Sequence, residues 1–305
     1  MFALENIMSV AATAKFGRLD RFDHGESSLV LMLILMLHLY HNNAMYSLSL
    51  SPFFSVAFCL PPGTVYPGVG TGWIAYAFNG EYRTYFNDLW CSYVSAQVHE
   101  VGHNMALDHS NEDGEYGDSS SMMGYSYGYD DIPSMCFDGA KHWALGWYDD
   151  RKEVVDPSRG VWVGNVVAFV DYKLVTGYDK ILVKVGNYYI QYNRAKGANS
   201  GVQEKVDEVT ITETQNLKGF SESIAGLSAS SRTYKFQTSG GASAVIEFCG
   251  AFTAQGADKV KVSIYLASQG SGCNRVVSTP RGLPTRLPTR RPTRRPTRRP
   301  TVSRG

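Results

Sequence analysis

The sequence predicts an α+β protein in which a short helix-bearing segment is followed by a β-rich module and a repetitive tail. Three observations support this prediction. Apolar residues recur every three or four positions over residues 87–105, short β-prone runs fill residues 151–275, and a four-residue Pro/Thr/Arg repeat occupies residues 276–305. A chain of 305 residues with 44% hydrophobic content is long enough to bury a full core.

The N-terminal segment, residues 1–58, is atypical. Residues 27–40, SSLVLMLILMLHLY, are intensely apolar but too few to cross a bilayer as a helix, which takes about 20 residues. The run is compatible with a displaced signal-like apolar region, a buried helix or a short segment that dips into a membrane. Another interpretation is that residues 24–57 are an artefact of the gene model, such as retained intron. No transmembrane helix is predicted.

Residues 87–105 are predicted to form the main helix, capped by Asn87 or Asp88. On this helix His99 and His103 lie one turn apart and project from the same face, where two imidazoles can chelate one metal ion. Glu100 points aside from the metal axis, where it can hold a water. This is the H-E-x-x-H arrangement of zinc proteases, in which the glutamate is the general base.

His109 follows His103 by six residues, which no regular helix brings onto the same face. The helix must therefore end and the chain must turn back if all three histidines are to bind one zinc ion. In the pattern H-E-x-x-H-x-x-G-x-x-H a glycine makes this turn. Ala106 occupies the position here, and left-handed geometry costs a non-glycine residue roughly 1–2 kcal/mol. We therefore expect a turn at Ala106 that is either strained or slightly different in geometry.

Several motifs beyond the histidines resemble the gametolysin family of metallopeptidases, peptidase family M11 of the metzincin clan. They are SSSMMGYSYG (119–128), MCFDGAKHWALGWYDD (135–150), CLPPGT (59–64) and GWIAYAF (72–78). The resemblance implies a metzincin-type core over residues 59–150, with a reduced N-terminal sheet, an active-site helix and a Met-turn. It implies that Met123 is the apolar floor beneath the metal and that Tyr125 lies near it. It also makes residues 72–78 an edge strand above the cleft, although an ordinary core strand fits equally well.

The region after residue 150 is predicted to be a sandwich-like or barrel-like β module without a catalytic cluster. Its clearest β runs are VWVGNVVAFVDY, KILVKV, YYIQYN, EVTITE, AVIEFC and KVKVSIYL. Before it, the loop SNEDGEYGDSSS carries Glu112, Asp113, Glu115 and Asp118. This loop is either a solvated acidic loop or a calcium site.

Five scattered cysteines without a C-x-x-C pair favour disulfides in a secreted, extracellular protein, and Cys249–Cys273 is the first pairing expected. Residues 274–305 hold ten arginines and no acid, so the remainder has 19 basic and 28 acidic residues, a net charge of −9. The tail is predicted to be disordered or extended as polyproline II, either as a stalk or as a basic arm for an anionic wall, matrix or membrane surface.

Together these features predict a zinc-dependent metalloendopeptidase that cleaves extracellular or cell-wall proteins and glycoproteins. His99, His103 and His109 would bind Zn²⁺, Glu100 would act as the general base and Tyr125 would help to bind the oxyanion. The alternative is a secreted binding protein with an inactive protease domain, which uses the β module and the basic tail. A weaker alternative makes the tail a nucleic-acid arm, but the rest of the chain resembles no nucleic-acid module, so a specific nucleic-acid partner is not expected.

Overall fold

A computed structural model describes residues 31–35, 54–60, 73–125, 134–175, 179–217 and 219–277. Within these ranges about 38% of residues lie in strands and about 17% are helical, with two α-helices and three sheets. The predicted α+β metzincin-type fold is therefore wrong, because strands from the whole described chain dominate the architecture. The predictions for the tail beyond residue 277 and for most of residues 1–53 lie outside the described residues.

The first sheet has four strands in the order β1-β2-β4-β3. Their bounds are Leu31–Leu35 (β1), Phe54–Cys59 (β2), Ala75–Ala77 (β3) and Arg83–Phe86 (β4). Strand β2 pairs antiparallel with β1 and parallel with β4, and β3 pairs antiparallel with β4. Part of the apolar run 27–40 is thus a strand rather than a helix, and β3 is an edge strand of this sheet.

Helix α1, Val94–Asn104, packs on the first sheet through the fully buried Ala96. It starts later than predicted, after a 3₁₀ turn at Asp88–Ser92. Asn87 precedes this 3₁₀ turn without a side-chain capping bond, and its backbone N–H and side-chain amide donate to the carbonyls of Ile74 and Trp73 beside β3. A disulfide from Cys91 to Cys59 also fixes the 3₁₀ turn to β2.

Two further sheets form the rest of the described chain. One has six strands in the order β5-β11-β10-β9-β8-β6, and the other has four in the order β12-β13-β14-β7. The bounds are Ser110–Asn111 (β5), Lys152–Val154 (β6), Trp162–Val167 (β7), Leu182–Val185 (β8), Tyr188–Asn193 (β9), Glu208–Glu213 (β10), Ser221–Leu227 (β11), Thr233–Gln237 (β12), Ser243–Ala254 (β13) and Ala257–Leu266 (β14). Each of the six quoted β runs contains a strand or part of one, although the second half of VWVGNVVAFVDY forms a 3₁₀ turn at Phe169–Asp171.

These two sheets share one apolar core. It combines β-branched and leucine side chains of the six-stranded sheet, such as Ile190, Ile211 and Leu227, with Ile246 and Ile264 of the four-stranded sheet. Alternation along each strand directs these side chains to the common interior. A disulfide between Cys249 of β13 and Cys273, with Cα atoms 5.2 Å apart, attaches the segment after β14 to the four-stranded sheet and confirms the predicted pairing.

The six-stranded sheet combines strands from both sides of the boundary predicted at residue 150. Its edge strand β5 directly follows His109 in the sequence. Strand β5 pairs in parallel with β11, in the register Ser110 to Ser221. Helix α2, Gly139–Leu145, packs on β9 and β10 of the same sheet. The predicted segments 59–150 and 151–275 thus share a sheet.

A buried carboxylate joins these elements. Asp138 caps α2 by accepting from the Lys141 amide, and it also accepts from the hydroxyls of Ser110 and Ser221. The Ser121 hydroxyl, which precedes the two methionines, accepts from the Asp138 amide. Cys136, the cysteine outside the two disulfides, lies two residues before Asp138. It is buried and donates its Sγ–H to the Ala198 carbonyl.

No helix in the described ranges is long and apolar enough to cross a membrane. The two disulfides are compatible with an extracellular protein.

Candidate metal centre

The first two histidines lie on α1 as their spacing predicts. His99 and His103 are both buried and their ring centroids are 5.0 Å apart. Glu100, also buried, lies between them in the sequence. Helical periodicity alone accounts for this half of the site.

The chain turns back at Ala106, which has a φ of 62°. The Ala106 amide donates to the His103 carbonyl and the Leu107 amide donates to the Gly102 carbonyl. These two bonds form a Schellman motif, in which the residue after the helix adopts the left-handed conformation that glycine usually supplies. The predicted turn is therefore present, and an alanine makes it.

His109 reaches the cluster from the edge of the six-stranded sheet. It directly precedes β5, and its carbonyl accepts from the Ser221 amide of β11 at 3.2 Å. Its ring lies 4.7 Å from that of His103 and 5.5 Å from that of His99, measured between centroids. The third histidine is thus positioned by a strand pairing rather than by the helix.

One ring nitrogen from each histidine lies within 4.8 Å of the other two, so the cluster could hold a metal ion. The Nε2 atoms of His103 and His109 are 3.0 Å apart. Tetrahedral geometry with Zn–N distances of 2.0–2.1 Å would place two such nitrogens about 3.3 Å apart. The observed spacing is close to that value.

Each histidine has an acceptor for its Nδ1–H. His99 donates to the Met122 carbonyl at 2.7 Å, His103 to the Leu107 carbonyl at 2.8 Å, and His109 to the Glu115 carboxylate at 2.8 Å. These bonds fix the tautomer that leaves Nε2 with a lone pair. Two such lone pairs 3.0 Å apart repel each other, and a cation between them would remove that repulsion.

Burial keeps the imidazoles neutral. Desolvation lowers the pKa of His99 well below its usual range, and the neighbouring His103 lowers it further. Desolvation, followed by the proximity of His109, lowers the pKa of His103 to about 4. Desolvation also lowers the pKa of His109, partly offset by Glu115. Neutral imidazole is the form that binds a metal ion, so the cluster is ready to bind at neutral pH.

The two methionines form a turn under the helix. The Gly124 amide donates to the Ser121 carbonyl, and Met123 is fully buried. A Cβ added to Gly102 would lie 2.4 Å from the Met123 sulfur, so the thioether packs directly against the helix between the two histidines. The same turn supplies the Met122 carbonyl that orients His99. Met123 therefore packs against α1 at Gly102, and its role as an apolar floor beneath a metal stays a prediction.

Tyr116, which the sequence did not single out, lies beside the histidines, whereas the predicted Tyr125 is exposed. Tyr125 is 56% exposed, whereas the Tyr116 ring lies 4.1 Å from His109 and 6.3 Å from His99, between centroids. Burial raises the pKa of Tyr116, and the carboxylates of Glu115 and Glu100 raise it further. Tyr116 thus stays a neutral phenol that can donate a hydrogen bond.

Sequence reasoning also missed two of the groups that orient the histidines. Glu115 was assigned only to an acidic loop, and Asn79, whose Oδ1 lies 2.8 Å from His103 Nδ1, was not considered. Asn79 follows β3 by two residues, so the edge strand leads directly to the cluster. A carboxylate six residues after a metal-binding histidine was a usable signal, because such histidines usually donate to an acid or a carbonyl.

Comparison of the chain with protein-family models, with curated proteins and with solved structures gives no match. The cluster of His99, His103 and His109 therefore stands on its own chemistry. Three neutral imidazoles with fixed Nδ1 hydrogen bonds, a buried glutamate next to the first of them, and a neutral phenol form a donor set suited to a metal ion.

Proposed function

We propose that the protein is a zinc-dependent metallopeptidase, as the resemblance of its motifs to gametolysin-like enzymes implies. The observation that carries the proposal is the convergence of three neutral imidazoles, each with Nδ1 already bonded, beside a buried glutamate. All-nitrogen ligands favour zinc over calcium or magnesium. Three protein ligands leave one position of a tetrahedral ion for water or substrate, which is typical of catalytic rather than structural zinc.

Bound zinc would supply a Lewis acid for the scissile carbonyl and would lower the pKa of a water at the cluster. Glu100 follows His99 on the same helix and supplies the carboxylate that accepts the water proton and delivers it to the leaving amine. Tyr116, whose ring lies against that of His109, would donate a hydrogen bond to the developing oxyanion. Burial of Glu100 and of the imidazoles limits bulk water at the reacting atoms.

The edge strand β3 favours a peptide substrate. It pairs on one side with β4, and at its end Asn79 contacts His103 while the Gly80 amide donates to the His103 carbonyl. Among the described strands β3 pairs only with β4, and an extended peptide that added to its other side would run toward the histidine cluster. The side chain of Phe78 is 53% exposed there and could contact substrate side chains.

The test compares Glu100→Gln with wild type in the full chain. Bound zinc should stay near one equivalent by elemental analysis, while cleavage of a fluorogenic peptide library falls about 10²–10⁴-fold because the general base is lost. Removal of the metal with a chelator should abolish cleavage in wild type, and added zinc should restore it.

The matched control is Glu153→Gln. Glu153 lies on β6, at the opposite edge of the six-stranded sheet from β5, and pairs with Lys180. It should retain wild-type activity. Cleavage that survives in Glu100→Gln would refute this role for the glutamate. Zinc binding without cleavage in the wild type would instead favour the secreted binding protein.

A further inference from the structure

A second cluster of metal-binding groups lies apart from the histidines. Carboxylate oxygens of Glu112, Asp118 and Glu204 lie within 4.8 Å of one another. Glu112 and Asp118 belong to the loop between β5 and the methionine turn, whereas Glu204 precedes β10 in the β-rich region. The cluster therefore brings together two segments that are far apart in the sequence.

Asp118 supplies an observation independent of the clustering of acids. Its side chain is fully buried, and Oδ1 accepts from the amide and the hydroxyl of Ser120 at 2.8 Å and 2.5 Å. Its Oδ2 is buried and has no hydrogen-bond partner within the described residues. A buried carboxylate oxygen without a partner is costly, so it indicates a ligand that the protein itself does not provide.

The net charge of the cluster is negative enough to favour a divalent cation. The ammonium of Lys205 pairs with Glu112, and the Ser119 amide donates to Glu204 at 3.2 Å. Three carboxylates and one ammonium carry a net charge of −2, which Lys205 alone does not neutralise. Burial raises the pKa of Asp118 to about 6, so near neutral pH the group is ionised and available to a cation.

We propose that Glu112, Asp118 and Glu204 bind one calcium ion. Donors that are all carboxylate oxygens suit a hard cation and disfavour zinc, which prefers nitrogen and sulfur. Ligands from two irregular segments suit calcium, which accepts six to eight oxygens in flexible geometry, better than magnesium, which demands a near-ideal octahedron. Glu204 is exposed, so water can complete the coordination.

The site would tie down the loop that completes the histidine cluster. Between Glu112 and Asp118 lie Glu115 and Tyr116, both of which contact His109. A calcium ion bound by Glu112 and Asp118 would hold both ends of this stretch. Its third ligand, Glu204, would link them to the segment before β10. The proposal does not rest on peptidase activity, because its ligands and its readout are separate from the histidines.

The experiment titrates Ca²⁺ into the full chain, with the histidine cluster preloaded with zinc, by calorimetry and thermal unfolding. Mg²⁺ at equal ionic strength is the comparison cation. We expect one calcium per chain, and at a free concentration about 100-fold above Kd a rise in Tm of roughly 5–10 °C. Glu204→Gln should weaken binding at least tenfold. Because Glu204 is exposed, this variant should fold normally.

Two further variants make the result decisive. Glu222→Gln, an exposed carboxylate on β11 that pairs with Asn111, is the matched control and should bind calcium as wild type does. Asp118→Asn should abolish the calcium-dependent rise in Tm without lowering the Tm of the calcium-free protein, because a buried amide is cheaper than a buried carboxylate. Absence of calcium binding in wild type, equal effects of Glu204→Gln and Glu222→Gln, or tighter binding of Mg²⁺ would each overturn the proposal.

Discussion

Replacing Ala106 with glycine should stabilise the protein. Ala106 has a φ of 62°, in the left-handed region, where the Schellman motif ends α1. Most alanine-to-glycine changes destabilise, because glycine has more freedom in the unfolded chain. At this position the native conformation itself favours glycine, so the sign is expected to reverse.

The magnitude follows from two opposing effects. Left-handed geometry costs alanine roughly 1–2 kcal/mol, and glycine removes that strain. The greater freedom of glycine in the unfolded chain offsets about 0.4–1 kcal/mol of this gain. The half-buried methyl group contributes little packing. The expected net gain is about 0.5–1 kcal/mol, which corresponds to a rise in Tm of about 1–4 °C for a domain of this size.

The matched control is Ala96→Gly, the same substitution ten positions earlier, inside α1. Ala96 is fully buried against the first sheet, so this variant should lose about 1–2 kcal/mol through helix propensity and lost packing. Urea unfolding with an unchanged slope gives both values. If both variants destabilise alike, Ala106 does not adopt the left-handed conformation. A loss of zinc affinity in Ala106→Gly would likewise contradict a turn that glycine fits.

Two other perturbations test the packing around the site. Gly102→Ala should destabilise by about 1–3 kcal/mol in urea unfolding despite its better helix propensity, because the added Cβ would lie 2.4 Å from the Met123 sulfur; an unchanged midpoint would contradict this contact. Burial lowers the pKa of His142 to about 4. Between about pH 4 and pH 6.5, His142 therefore binds a proton in the unfolded chain but not in the folded chain. Its contribution of about 3 kcal/mol is full above pH 6.5 and is lost as the pH falls toward 4. His142→Gln should flatten this part of the stability profile, and parallel profiles would argue against a buried neutral imidazole.

Local patterns in the sequence predicted much of the site. Helical spacing placed His99 and His103 on one face, and the six-residue step from His103 to His109 predicted the turn that Ala106 makes in the left-handed conformation. Alternation and β-branched residues located strands such as β9 and β10 to the residue. These features depend on neighbours a few positions apart, so a short window of sequence contains the information that determines them.

Long-range pairing could not be predicted in the same way. The fold class was wrong because it was extended from motifs in a short segment, whereas the sheets join strands that are distant in sequence. The position after the methionine turn points to Tyr125, but nothing local in the sequence indicates that the loop also brings Tyr116 to His109. The predicted cap of α1 at Asn87 was wrong, and the side chain of Asn87 bonds to Trp73 instead. In each case the deciding contact lies outside the local pattern.

The pairing of β5 with β11 also sets the order in which the site can form during synthesis. His99, His103 and His109 all leave the ribosome long before Ser221, which pairs with Ser110 across 111 positions. Contacts of such separation require closure of a long loop and form late in folding. Until β11 emerges, the strand that positions His109 has no partner, and a nascent chain ending near residue 150 cannot complete the cluster. The growing polypeptide therefore carries all three histidines of the cluster before the strand pairing that positions His109 can form.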